Sequence, residues 1–273
     1  MSTQTIPKVI NYFWFGNNPE PPIVKECIKS WKKYCPDYEI KRWDEKNFDI
    51  NISSYTKEAY NAKKWAFVSD YARFYVLNKN GGVYLDTDVE LIKSLDSILK
   101  KGPFMARENS SLLSVNSGIG MGTYANNALF TKVLNDYDQD HFINSDGSYN
   151  QRTVVERVSE MLVRDGLSAE NKIQKVDNIY IYPKQYFCPI DYVTGEQNFS
   201  QDTIGIHHFA ASWLSKKEKQ YHSIGQKVGK VFGTSVGIKT EKIIRFPYKS
   251  MQRIKKVGIK NTIIYYFRKI KRN

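Results

Sequence analysis

The sequence predicts an α/β protein with a mostly parallel central sheet flanked by helices, and three observations carry that prediction. Residues 8–43 read as strand, helix and strand in about forty residues, a spacing that makes the two strands parallel through a right-handed crossover. A helical period running from Trp65 to about Asn78 stops at Gly81-Gly82 and gives way at once to the β-favouring Val83, Tyr84 and Leu85. Short branched or aromatic runs then alternate with helical stretches as far as residue 209, the pattern of sheet strands joined by helices.

Taken in order, residues 8–15 (KVINYFWF) form a first strand, stopped by Gly16-Asn17-Asn18-Pro19. Pro21 and Pro22 open a helix whose Val24, Ile28, Trp31 and Cys35 make one apolar stripe. Residues 38–43 (YEIKRW) alternate as a second strand, and residues 44–64 are polar with short helical patches. The helix from Trp65 is apolar around more than half of its surface, with Asp70 and Arg73 sharing its polar face at i, i+3. Beyond residue 88 come a short strand (89–92), a short helix (95–99) and a strand (104–107). Residues 115–122 (VNSGIGMG) carry small side chains at close intervals, as needed where backbone approaches a ligand, with a flexible loop as the plainer alternative. Helices follow at 126–136 and 153–164, then edge-like strands at 179–182 and 186–188 around Pro183, and a last strand at 205–209.

Charge divides the chain. Residues 216–273 hold 17 Lys and Arg against two acids, Glu218 and Glu241, so the formal +13 of the whole chain belongs to this end. Residues 1–215 are then nearly neutral and are expected to be a catalytic domain; 216–273 are expected to be a basic helical extension, broken at Pro247. In that extension Met251, Ile254, Ile263, Ile264, Phe267 and Ile270 fall among Lys and Arg at roughly helical spacing, the pattern of an amphipathic helix that lies on anionic lipid. Three cysteines with no C-x-x-C argue against a disulfide framework or a zinc site, and no run approaches a membrane span. The expectation is a cytoplasmic protein, with any membrane contact peripheral. Neither G-x-G-x-x-G nor a P-loop is present, so dinucleotide and P-loop binding are not supported.

The chemistry concentrates at Asp86-Thr87-Asp88, directly after the strand at 83–85. Carboxylates two apart on an extended chain point to opposite faces. If the chain turns there, both can address one hard cation such as Mg²⁺ or Mn²⁺ at the carboxyl edge of a sheet, where open α/β sheets bind ligands.

Three blocks, NYFWFG (11–16), SDYARFYVLNKNGGVYLDTDV (69–89) and HHFAASW (207–213), resemble the DXD-containing glycosyltransferases of family 32. That group includes capsular polysaccharide transferases and yeast mannosyltransferases, and is more distantly similar to the glucosyltransferase domain of the large clostridial toxins. The resemblance spans about residues 6–215. It implies a GT-A fold, a nucleotide-sugar donor, a divalent metal (Mn²⁺, with Mg²⁺ as the alternative) and retention of anomeric configuration. It also implies site residues. Trp14 would lie against the donor base, Asp70 and Arg73 would hold the donor sugar, and Asn116 would sit near the transferred sugar. Asp86 would bind through water or the ribose and Asp88 the metal directly. Ser212 and Trp213 would close over the diphosphate. A C-terminal histidine would complete the metal shell; His208 is chosen for the order His-aromatic-small-small, with His207 kept as the alternative because neighbours on a strand face opposite ways and only one can reach. The implied reaction moves a hexose from UDP-galactose or UDP-glucose to a saccharide hydroxyl, lipid-linked if the basic extension rests on the inner membrane, in surface or capsular polysaccharide synthesis. Two other readings compete: a nucleotidyltransferase or nuclease, which the acid pair and basic tail would also suit, and a non-catalytic nucleic-acid binder, which leaves the acid pair and HHFAASW unexplained. Nucleic acid is not the expected partner.

Overall fold

A computed structural model describes residues 5–109, 113–192, 194–210 and 215–270. They form two compact units, Met1–Ile190 with Asn198–Ala210, and Asp191–Gln197 with Ala211–Asn273.

The first unit is an α/β sandwich. Its strands are β1 (Val9–Phe13), β2 (Glu39–Trp43), β3 (Gly82–Tyr84), β4 (Val89–Leu91), β5 (Phe104–Asn109), β6 (Ser114–Thr123), β7 (Gln174–Val176), β8 (Ile179–Tyr182) and β9 (Gly205–His207). Its helices are α1 (Pro22–Tyr34), α2 (Ser54–Asn61), α3 (Trp65–Asn80), α4 (Asp96–Leu99), α5 (Ala128–Asp138) and α6 (Val154–Arg164). Seven strands form one sheet in the order β2-β1-β3-β6-β5-β8-β7, while β4 and β9 pair separately. Pairings β1–β2, β1–β3 and β5–β8 are parallel; β3–β6, β5–β6 and β7–β8 are antiparallel. The α/β class and the helix-flanked sheet stand as the sequence predicts.

The parallel edge positions the acid pair. Strands β2, β1 and β3 all end on the same side, which brings Trp14, residues 44–45 and Asp86 to one rim. One apolar cluster on one side of the sheet contains Val68, Phe74, Phe130 and Val158; a second contains Ile10, Trp31, Val83, Phe104 and Phe187. Trp31 is fully buried, and its indole N–H donates to the Val89 carbonyl at 2.7 Å. Leu91 N–H donates to Ser30 Oγ at 2.9 Å, so α1 holds β4 at two points. That anchorage fixes the strand immediately after Asp88.

Residues 115–122, read from the sequence as a place where backbone approaches a ligand, are a central strand. The small residues are there for a different reason: alternate positions on a strand share a face, and Gly118, Gly120 and Gly122 leave room for Asp86, Phe187 and Phe104 respectively. The segment read as a strand at 186–188 is instead approached by a 3₁₀ turn, Lys184–Tyr186, because Pro183 removes a ladder donor there. The short β7 carries too few residues to leave a periodic signal.

The second unit is built from α7 (Lys216–Phe232) and α8 (Thr234–Ile270). A Cβ on Gly237 would stand 2.7 Å from both the Gly225 carbonyl oxygen and Gly229 Cα, so the glycines are what let the two helix backbones touch. Arg245 joins them by pairing with Glu218 at 2.6 Å and Glu241 at 3.2 Å, and His222 Nδ1 lies 2.8 Å from Glu241. The expected break at Pro247 is corrected: helix continues through it, and the non-helical residue is Gly258 at φ 80°. Proline lacks its own N–H and its ring crowds the preceding turn, and the carbonyl left without its helical partner belongs to Ile243, a residue 71% exposed. A φ of 80° is instead cheap only for glycine. No described helix is long and apolar enough to cross a membrane.

Candidate active site

The chain turns at the acid pair, as simultaneous use of both carboxylates requires: Val89 N–H donates to the Asp86 carbonyl at 3.0 Å. Asp86, Asp88 and His207 each offer a ligand atom, and these atoms all lie within 4.8 Å of one another. Asp88 is 8% exposed and accepts from the Ala210 N–H at 2.8 Å. His207 Nε2 is 3.5 Å from Asp88 Oδ1. Burial works against the charged form of both groups. For Asp88 the His207 ring and the Ala210 amide outweigh it and hold the carboxyl below its usual range. For His207, Asp88 and Cys188 outweigh it and lift the imidazolium to about 10. Two carboxylates and one imidazole at this spacing could hold a divalent metal ion.

The sequence chose His208, and the structure places His207 in the cluster instead. His207 ends β9 opposite Val89 and is turned inward, 5% exposed. His208, on the opposite side of the chain, meets Glu90 at 2.8 Å. Phe209 then takes a left-handed φ of 49°, which turns the Ala210 amide onto Asp88.

Asp70 and Arg73 are brought to the same place. Arg73 Nη2 lies 3.0 Å from Asp70 and 3.3 Å from Asp86, and its guanidinium sits 4.4 Å from the centroid of the Tyr84 ring. The Tyr84 hydroxyl donates to Asp86. Burial, opposed by Arg73 and reinforced by Asp86, raises the Asp70 carboxyl to about 6. Arg73 stays firmly cationic although desolvation opposes it. Asn116, on β6, accepts from the Gly118 N–H at 2.7 Å through Oδ1. Trp14 stands apart from this group, half-buried just past β1, its indole donating to the Asn18 carbonyl at 2.6 Å. Ser212 and Trp213 lie outside the described residues.

Sequence reasoning missed two contributors. Gly118 faces the acid pair: a Cβ there would stand 1.9 Å from Asp86 Oδ2, and the Gly118 carbonyl accepts from the Asp86 N–H at 2.8 Å. The small-residue run at 115–122 was the available signal, but the close approach it marks is to Asp86. Glu108, whose carboxyl is raised first by burial, lies 3.8 Å from His207 Nδ1. An acid ending a buried strand is the only local hint of it.

A helix-flanked sheet with a carboxylate pair at its strand ends, backed by a buried arginine, gathers charged groups where open α/β sheets bind ligands. Comparison with known proteins agrees. Residues 21–105 match the family model of the glycosyltransferase sugar-binding region containing the DXD motif. Inositol phosphoceramide mannosyltransferase 3 of Schizosaccharomyces pombe is 30% identical over 122 residues, which are 41% of this chain and 32% of that protein. An uncharacterized glycosyltransferase of Acanthamoeba polyphaga mimivirus is 24% identical over 191 residues, 67% of this chain and 73% of that one. Among solved structures, the PaToxG glycosyltransferase aligns with TM-score 0.46 and 20% identity over 60% of this chain and 71% of its own. The chain spans about a third of the length of the yeast relative. The resemblance read from the sequence therefore holds over residues 21–105, which are similar to the glycosyltransferase sugar-binding region containing the DXD motif.

Proposed function

We propose that the protein is a metal-dependent, retaining hexosyltransferase that moves a sugar from a UDP-sugar, UDP-galactose or UDP-glucose first, to a hydroxyl of a saccharide acceptor in surface or capsular polysaccharide synthesis. The observation that carries this reading is the convergence of Asp86, Asp88 and His207 at the sheet rim beside Arg73. Asp86, Asp88 and His207 hold Mn²⁺ or Mg²⁺, and a cation bound there supplies positive charge against the departing diphosphate. Arg73 adds a fixed charge to the same side, where negative charge grows as the glycosidic bond breaks. Asp70 and Arg73 hold the donor sugar, Asn116 lies beside it, and Trp14 stacks on the base. Ser212 and Trp213 cover the diphosphate. The yeast relative is a mannosyltransferase, so GDP-mannose belongs among the donors tested.

The test is a thermal-shift panel of UDP-sugars and GDP-mannose with and without Mn²⁺. A donor bound only by the folded state stabilises it by about 2.7 kcal/mol at a hundred times its Kd. One nucleotide sugar is expected to raise the melting temperature only with the metal present, and Asp88→Asn to remove the shift. A shift that ignores the metal, or one that survives in Asp88→Asn, ends this reading.

The second unit fits a role at the inner face of a membrane, with a lipid-linked acceptor. It exposes Val231, Phe232, Ile243, Phe246, Met251 and Ile259 among its Lys and Arg. Each cation near an anionic surface contributes about 1 kcal/mol. The full chain is expected to float with vesicles containing phosphatidylglycerol and to stay behind with phosphatidylcholine alone. Substituting Val231, Phe232 and Ile243 by Ser should cut flotation severalfold. Equal partitioning of both proteins would remove the membrane role.

A further inference from the structure

Glu108 lies at the meeting point of groups that the proposed chemistry uses separately. Asn116, whose side chain holds the Glu108 carboxyl down against the burial that raises it, accepts from the Gly118 N–H through Oδ1, while the Gly118 carbonyl accepts from the Asp86 N–H. On its other side a Glu108 oxygen lies 3.8 Å from His207 Nδ1, whose second nitrogen faces Asp88 at 3.5 Å. His207 Nδ1 is buried and has no hydrogen-bond partner among the described residues. An imidazole that binds a metal through one nitrogen ordinarily gives its other N–H to a carboxylate or carbonyl, which fixes the ring's tautomer and aim. Here a Glu108 carboxylate oxygen lies on the Nδ1 side of the ring at 3.8 Å, just outside hydrogen-bond distance.

We propose that Glu108 is a positioning residue: it receives the His207 Nδ1–H and the Asn116 amide together, so that Nε2 is left to the cation between Asp86 and Asp88 and Asn116 is held at a fixed place on the sugar side. The proposal rests on the metal reading above. It differs from a role in packing, because what it sets is the direction of two polar side chains that come from different strands, β9 and β6.

The experiment measures Mn²⁺ binding to the full chain, without nucleotide, by titration calorimetry or by the loss of the free-ion electron paramagnetic resonance signal. Glu108→Gln, which keeps size but not charge, is expected to weaken Mn²⁺ binding by about 10- to 100-fold, the ordinary cost of losing such a partner. The metal-free melting temperature should not fall below the wild-type value. Glu108→Asp should fall between the two, and it carries the measurement if the Gln variant does not fold. In a His207→Gln background, Glu108→Gln should add nothing, because the group it orients is gone. An unchanged Kd in Glu108→Gln, a full additive loss in the double variant, or a drop in metal-free stability that accounts for the weaker binding would each overturn the proposal. If the wild-type chain takes up no Mn²⁺, the metal site itself falls and this inference with it; if wild type binds and Glu108→Gln binds equally, only the inference falls.

Discussion

Gly118→Ala is expected to leave the protein folded and to weaken Mn²⁺ binding by about 10- to 100-fold, a loss of the size seen when a ligand's support is removed. The added Cβ would lie 1.9 Å from Asp86 Oδ2 and 2.7 Å from its Cγ, inside any allowed contact. The two backbones cannot part to make room, because the Asp86 N–H is bonded to the Gly118 carbonyl at 2.8 Å. What yields is the carboxylate, which must rotate away and so gives up the Tyr84 hydroxyl, the Arg73 guanidinium and its place beside Asp88 and His207. Overpacking of this kind costs roughly 1 to 3 kcal/mol, little enough for a large domain to survive. Gly122→Ala is the matched control. Its Cβ would meet the Phe104 ring at 2.5 Å, so it should lower stability while leaving metal affinity unchanged. Calorimetry and thermal melts of the two variants decide the matter: a Gly118→Ala protein with wild-type Mn²⁺ affinity would show that Asp86 does not serve the site.

Asp70→Asn is expected to do the reverse of most substitutions: it should make the metal-free protein more stable at pH 7 and remove transfer. The Asp70 side chain is 14% exposed, and burial, opposed by Arg73, raises its carboxyl from 3.8 to about 6. One unit of such a shift is worth 1.36 kcal/mol, so keeping this carboxylate ionised costs on the order of 3 kcal/mol at neutral pH. The sign follows from proton binding. Between about pH 4 and 6 the native state holds a proton that the unfolded chain has released, so the contribution of Asp70 to stability falls as pH rises through that window. Below pH 4 both states are protonated and the contribution vanishes. Asn mimics the neutral acid and escapes the penalty. Urea denaturation at pH 4 and pH 7 should therefore show the two proteins nearly equal at the lower pH and the variant ahead at the higher. A variant that is less stable at pH 7, or a gap that does not change with pH, would refute this. A destabilised group retained beside a ligand site is the usual trade of stability for function.

Much of this could be read locally. The stretch from Trp65 to Asp88 announces itself because each step depends on near neighbours: helical periodicity, two glycines that end it, three β-favouring residues, then two acids. Asp70 and Arg73 share a helix face at i, i+3, and the structure pairs them at 3.0 Å. The run at 115–122 was legible as a close backbone approach, although what approaches it is Asp86.

The choice between His207 and His208 was not legible, because alternation along a strand says only that the two differ, while the burial of one side is set by β4 and α1. Glu108 was invisible for a related reason: its partners come from β9 and from across β5–β6, and long-range packing alone brings them together. The sequence by itself determined the α/β class, the acid pair at a strand end and the concentration of positive charge in residues 216–273, since periodicity, turn chemistry and composition are properties of adjacent residues. Only the tertiary structure decided which imidazole meets Asp88, what Gly118 makes room for and where the rim of the sheet lies. The contacts responsible join residues as much as 122 positions apart, as Asp88 and Ala210 are, and no local spacing encodes them.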